Sequence, residues 1–275
     1  MPEDDSDDGG ELIMMYYENK HGKVYYEVHG PEHAPAVIFS HGVAMDHATF
    51  YPQMQALQDK YQVVIWDMPF HGLSSSLDDG LSFSATAADF VIGMMDHLQL
   101  DTAIHVGQSL GSFVVQQTAA KYPERVSASV HLGGGPLYPP FSPLLKAFIP
   151  LIPLSLIFYP GKTLYRSFAK HKALTPDTRA YMAKTAEKTG KKVITHLTQE
   201  MVRDAVNGIT RPLEGPMLLC YGDHELGFVK KMSQQWHEQT PLSQLAVVKN
   251  AHHIANQDHP EEFNRILLSF LEECC

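Results

Sequence analysis

Six short, continuously apolar runs, each separated from the next by a longer stretch, constrain this chain more than any other feature. They are "AVIFS" (36–40), "QVVIW" (62–66), "TAIHV" (102–106), "VSASVHL" (126–132), "PMLLCY" (216–221) and "QLAVV" (244–248). Runs of this length and character are strands buried on both faces, as in a parallel sheet. Two earlier runs, "LIMMYY" (12–17) and "KVYYEV" (23–28), are also rich in strand-favouring residues. Between the strands lie "FYPQMQALQDK", "TAADFVIGMMDHLQL", "SFVVQQTAAKYP", "FVKKMSQQWHEQ" and "PEEFNRILLSFLEE", each with apolar residues at helical spacing. Such alternation predicts an α/β fold, a mostly parallel eight-stranded sheet with helices on both faces.

The rhythm breaks once. From about Gly135 to Gly215 no strand is evident, and helical segments such as "TPDTRAYMAKTAEKT" and "VITHLTQEMVRDAVNGI" follow an apolar stretch. This predicts a helical cap over 136–214, inserted into a core formed by 11–135 and 215–275. The apolar stretch, "FSPLLKAFIPLIPLSLIFY" (141–159), is long enough to span a bilayer. Pro143, Lys146, Pro150 and Pro153 interrupt it, so it reads as a pair of short helices packed on the core, with no stable membrane insertion.

A chain of 275 residues with 44% hydrophobic content buries one large core without disulfides or metal. Its cysteines, Cys220, Cys274 and Cys275, are an odd number without a framework, which suits a reducing, cytoplasmic setting. The terminal pair lacks the basic cluster that accompanies lipidation and reads as a frayed end. The net charge of −10 disfavours nucleic acid and anionic membranes as partners. About half of that charge lies in "PEDDSDDGGE", so residues 1–10 are expected to be a solvated, disordered acidic tail, without the basic start and apolar centre of a secretory signal.

The stretch "HVGQSLGS" (105–112) places Ser109 between Gly107 and Gly111, after one predicted strand and before a helix. A sharp strand-to-helix elbow explains those residues. The glycines remove side chains where strand and helix are forced together, Ser109 is left strained and exposed at the carboxyl end of the sheet, and the helix start aims its N–H groups, Leu110 first, at any oxyanion formed there. A serine hydroxyl is a poor nucleophile without a base. Among sixteen histidines, His252 and His253 stand out, in a loop between the strand ending at Val248 and a helix opened by Pro260. Elsewhere the histidines lack the tight spacing of metal ligands, so no metal is expected.

The segment "NAHHIANQDHP" resembles the terminal histidine loop of α/β-hydrolases, in which A-G-H precedes an acidic residue and a proline. The resemblance runs from "KVYYEVHG" to "FLEE". It identifies His253 as the base, with His252 where glycine is usual. "FSHGVAMDHATF" is similar to the family's histidine-glycine oxyanion turn, which implies Gly42 at the turn and the Val43 N–H as a second oxyanion donor beside Leu110, with His41 as an orienting residue. "WDMPFHGLSSS" resembles a D-x-x-G-H-G-x-S stretch with Phe70 in place of a glycine, in which Asp67 and His71 pin loops. The third triad member needs a carboxylate on a loop after a strand, and "GDHELGF" supplies two. In similar hydrolases the acid stands three residues after this glycine, which selects Glu225, with Asp223 as its rival.

The resemblance implies a cofactor-independent serine hydrolase of the capped esterase or lactonase kind. It would act through an acyl-enzyme on a small ester or lactone with an apolar acyl or ring part. Serine rather than aspartate argues against the dehalogenase and epoxide hydrolase branches. Two alternatives share the same fold: a C–C bond hydrolase, and a ligand-binding or signalling protein with little turnover.

Overall fold

A computed structural model describes residues 15–78, 80–148, 151 and 160–274. The acidic tail, the start of the first predicted strand, Cys275 and, apart from Leu151, the apolar stretch from 149 to 159 lie outside the described residues.

The described residues form eight strands: β1 (Met15–Asn19), β2 (Gly22–His29), β3 (Ala36–Ser40), β4 (Gln62–Trp66), β5 (Ala103–Gln108), β6 (Val126–Leu132), β7 (Met217–Gly222) and β8 (Ser243–Val248). They form one sheet in the order β1-β2-β4-β3-β5-β6-β7-β8. The β1–β2 and β2–β4 pairs are antiparallel, and every later pair is parallel. The apolar runs are therefore the parallel strands, as their uninterrupted character requires. Of "LIMMYY", residues 12–14 lie outside the described residues; the described part of the strand runs on to Asn19, because the hairpin register pairs Met15 with Tyr26 and Asn19 with Gly22.

Helices α1 (Tyr51–Leu57), α2 (Phe83–His97), α3 (Leu110–Lys121), α4 (Gly161–Lys172), α5 (Pro176–Thr189), α6 (Lys191–Asn207), α7 (Gly227–Glu238) and α8 (Pro260–Cys274) complete the layers. The period-two alternation of each strand divides its apolar residues between the faces. Val37, Phe39, Val63, Ile65, Ile104 and Val106 pack with Leu57 of α1 and with Phe263, Leu267 and Phe270 of α8. Ile38, Val64 and Trp66 point the other way, into a cluster with Phe83, Phe90 and Met94 of α2 and Leu110 of α3.

Between β6 and β7 the described residues contain no strand. A short 3₁₀ turn, Pro143–Phe148, precedes α4, α5 and α6. Thr175 caps α5 by accepting the Thr178 N–H at 3.3 Å, with Pro176 in the first helical turn. Ala169, Met182, Ala186, Ile194 and Leu197 turn inward and join the cluster of α2, while Ala205 and Ile209 pack with Phe113 and Leu137. No helix among the described residues is long and apolar enough to cross a membrane.

Candidate active site

Ser109 stands at the junction of β5 and α3 with φ 53° and ψ −112°, a conformation that L-residues rarely adopt. Its neighbours hold it there. A Cβ on Gly111 would lie 1.9 Å from the Ser40 carbonyl oxygen, so α3 can start this close to β3 only if that residue is glycine. The Ser109 N–H donates to the Leu132 carbonyl at 2.8 Å, tying the elbow to β6. Leu110 opens α3 with its side chain fully buried, so its contribution beside Ser109 is a backbone N–H at the positive end of the helix.

His253 and Glu225 meet from two loops beyond β7 and β8. The imidazole Nδ1 lies 2.5 Å from Glu225 Oε2, and Oε1 accepts the Leu226 N–H at 2.8 Å. The carboxylate side chain is 0% exposed and the imidazole 7%. A carboxylate only accepts, so Nδ1 carries the proton and Nε2 is the bare nitrogen. That Nε2 is buried and has no hydrogen-bond partner. Burial alone would raise the Glu225 carboxyl, but the facing imidazole, the Leu226 N–H and the Lys172 ammonium outweigh it and hold the group at about 2. Burial, and then the Lys172 charge, push His253 below the usual histidine value against the opposing pull of Glu225. The imidazole is therefore neutral at pH 7, as a proton acceptor must be.

The two residues left open by the sequence go elsewhere. Asp223 Oδ1 accepts the Ala251 N–H at 3.1 Å and so shapes the histidine loop from outside. His252 accepts the His253 N–H on its own Nδ1 at 2.8 Å.

Ser109 and His253 line one cavity of about 200 Å³, together with Gly42, Val43, Met45 and Ile254 from the core and Phe168, Lys172, Met182, Thr198 and Met201 from the inserted helices. Gly42 approaches closely, since a Cβ there would stand 3.3 Å from Ser109 Cβ. The turn that carries Gly42 and Val43 is braced by two neutral histidines. His41 donates from Nδ1 to the Gly42 carbonyl at 2.8 Å and accepts the Met68 N–H on Nε2 at 3.0 Å. His71 donates to the Pro69 carbonyl at 2.9 Å and accepts the Ala44 N–H at 3.1 Å. Burial lowers them to about 4 and about 3. Asp67 takes the His47 and Leu73 N–H groups at 2.8 and 2.7 Å, closing the same loops. Phe70 keeps the left-handed backbone that glycine suits, with φ 70°. Its ring meets Phe83 at 6.4 Å and His196 of α6 at 5.3 Å, which links this loop to the inserted helices.

Gly133 and Lys172 escaped the reading of the sequence, and so did the contacts of Asp258, the acidic residue of the histidine-loop motif. Gly133, with φ 61°, cradles the pair, since a Cβ there would be 3.0 Å from His253 Nδ1 and 3.4 Å from Glu225 Oε2. The glycine run "LGGG" after β6 was its only signal. Asp258 clamps the histidine loop to the end of α4: its oxygens accept the His252 N–H at 2.9 Å, the Leu174 N–H at 2.9 Å and the Thr175 N–H at 3.0 Å. Lys172 enters the cavity from that same helix end, and nothing in its local sequence marks it. A larger cleft of about 1120 Å³, between α6 and the loop before α2, contains none of Ser109, Glu225 and His253. Among the described residues no group of three or more His, Cys, Asp or Glu side chains converges as metal ligands would.

Residues 35–260 match the alpha/beta hydrolase fold family. The carboxylesterase YbfK of Bacillus subtilis is 24% identical over 270 residues, covering 95% of this chain and 88% of that protein. The 3-oxoadipate enol-lactonase 1 of Acinetobacter baylyi is 31% identical over 102 residues, 37% of this chain and 38% of the lactonase. Among solved structures, the enol-lactonase from Burkholderia xenovorans LB400 superposes with a TM-score of 0.81 at 18% identity, covering 94% of this chain and all of that one. At that identity the likeness speaks for the fold alone. With the family match spanning most of the chain, this protein belongs to the alpha/beta hydrolase fold family.

Proposed function

We propose that this protein is a cofactor-independent serine hydrolase that cleaves small carboxylic esters or lactones through an acyl-enzyme. The observation that carries the reading is the unpartnered Nε2 of His253, whose Nδ1 is committed to a buried carboxylate, in the cavity that holds a strained serine at a helix start. In this reading Nε2 takes the Ser109 hydroxyl proton as the oxygen attacks the substrate carbonyl. The Val43 and Leu110 N–H groups receive the oxyanion, and His253 returns the proton to the leaving alkoxide. Water then repeats the sequence on the acyl-serine. Glu225 holds the imidazole tautomer and stabilises the transient imidazolium.

The inserted helices act as a cap over this site. Phe168, Met182 and Met201 give the cavity an apolar roof. A volume of about 200 Å³ is small beside the roughly 300–1,000 Å³ of ligand pockets in general, which favours a short acyl or ring part. The carboxylesterase and enol-lactonase names of the relatives support the same reaction class. The test is covalent labelling with a fluorophosphonate, followed by a panel of acyl esters and lactones. Ser109→Ala is expected to abolish labelling and to lower kcat/KM by about 10⁴ or more with folding intact. Labelling that persists in that variant refutes the assignment, and labelling without turnover of any ester or lactone points to the ligand-binding alternative.

A further inference from the structure

The cavity beside Ser109 is apolar on most of its wall, yet it holds one cation. Lys172, the last residue of α4, lines it together with Ser109 and His253. Lysine is rarely withdrawn from water without a carboxylate partner. Among the described residues Lys172 has none within ion-pairing distance of its ammonium, and the Phe168 ring stands 5.9 Å from Nζ. The acid whose charge acts on it, Glu225, has spent Oε2 on His253 and Oε1 on the Leu226 N–H.

The backbone that carries Lys172 is also fixed. The Lys172 carbonyl accepts the Ile254 N–H at 3.0 Å, one residue beyond the imidazole. The two residues after Ala173, Leu174 and Thr175, donate to Asp258, the carboxylate that also holds the His252 N–H. The base and the cation thus stand on two segments bolted to one aspartate. Such a placement serves substrate selection well, because a carboxylate fixed by Lys172 registers the rest of the molecule against Ser109.

Building on the serine hydrolase reading above, we infer that Lys172 is a specificity residue that receives a carboxylate on the acyl part of the substrate. The preferred substrates are then monoesters or lactones of short dicarboxylic acids. Phe168, Met182 and Met201 enclose the intervening methylene groups, and the second, ionised carboxylate ends at the ammonium. Substrates without that charge leave a partly buried cation unpaired, which supplies discrimination by a missing partner rather than by shape.

The test compares 4-nitrophenyl monoesters of succinate, glutarate and adipate with the matched neutral butanoate, pentanoate and hexanoate esters, in wild type and in Lys172→Met and Lys172→Arg. At one chain length or more the wild type is expected to favour the anionic ester at least tenfold in kcat/KM. Lys172→Met is expected to lower that anionic-to-neutral ratio by tenfold or more, chiefly through KM, and Lys172→Arg to restore much of it. If Lys172 acts only through the electrostatics of His253, both esters lose equally and the ratio stays, which overturns the inference. A wild type that prefers the neutral esters at every length overturns it as well. A readout free of turnover separates this result from the fate of the hydrolase reading: glutarate and adipate binding to Ser109→Ala, measured by calorimetry, is expected to weaken at least tenfold when Lys172→Met is added. Absence of dicarboxylate binding in Ser109→Ala, with Ser109 labelled and neutral esters turned over in the wild type, rejects the Lys172 role and leaves the hydrolase standing.

Discussion

Replacing Glu225 by glutamine tests the proposed triad where it is most exposed to error. The side chain is 0% exposed and lies 2.5 Å from His253 Nδ1, so its charge acts on the imidazole without intervening water. When His253 takes up the serine proton, the carboxylate and the ring charge stand about 4 Å apart, an attraction of about 4 kcal/mol at an effective dielectric of about 20. Glutamine keeps the volume and removes that attraction, which corresponds to about a thousandfold in kcat. Its amide can also donate to Nδ1 and so favour the tautomer that leaves Nε2 protonated. The assay is steady-state hydrolysis of a short 4-nitrophenyl ester by Glu225→Gln and by Asp223→Asn, with thermal unfolding of both. The expected outcome is a fall of roughly 10² to 10⁴ in kcat for Glu225→Gln with KM little changed. Asp223→Asn, which weakens backbone contacts of the histidine loop such as the Ala251 N–H and leaves Glu225 on His253, should stay within about tenfold of wild type. A crippled Asp223 variant beside a near-normal Glu225 variant refutes the argument.

Because His253 must be neutral to act and is held below the usual histidine value, the acidic limb of kcat/KM should fall below about pH 6.5. In Lys172→Met, which removes a charge that depresses it, the limb should move upward in a pH profile with a neutral ester. Gly133→Ala puts a Cβ 3.0 Å from His253 Nδ1 in a left-handed backbone; about 1–2 kcal/mol of stability and tenfold or more of kcat should be lost, read by denaturant unfolding and by turnover. Burial and then Glu200 raise the Asp204 carboxyl of α6 to about 6 although the Ser84 and Ser82 hydroxyls donate to it. The folded protein then keeps a proton that the unfolded chain has already released, so Asp204 contributes a loss of stability as pH rises from about 3.8 to about 6, on the order of 3 kcal/mol at most. Unfolding of Asp204→Asn followed across that interval should lack this component, and an unchanged pH profile rejects it.

The fold was legible because buried parallel strands advertise themselves by uninterrupted apolar runs, and "AVIFS", "QVVIW" and "VSASVHL" coincide with β3, β4 and β6. The elbow was legible for a different reason. Gly107 answers a steric demand within the elbow, since a Cβ there would meet the Gly111 carbonyl, whereas Gly111 answers the approach of β3 at Ser40; both follow from one sharp strand-to-helix turn. Choosing between Asp223 and Glu225 needed more, since both stand on one loop and only the approach of the histidine loop decides which carboxylate meets Nδ1. Gly133 and Lys172 were invisible because their importance comes entirely from what lies across space. A glycine after β6 is unremarkable until an imidazole rests on it, and a lysine at a helix end is ordinary until that end closes a cavity. Phe70 ran against a local rule, and its reason is likewise remote: the ring reaches His196 on the inserted helices.

Asp258 accepts from Leu174 and Thr175 after α4 and from His252 beside the imidazole. The end of an inserted helix and the loop of the base therefore share one anchor. Two further ties reach the core from the inserted helices, Tyr181 to Asp46 and Asp204 to Ser82 and Ser84. Loss of the Asp258 carboxylate would then disturb the wall of the cavity and the seat of the imidazole together.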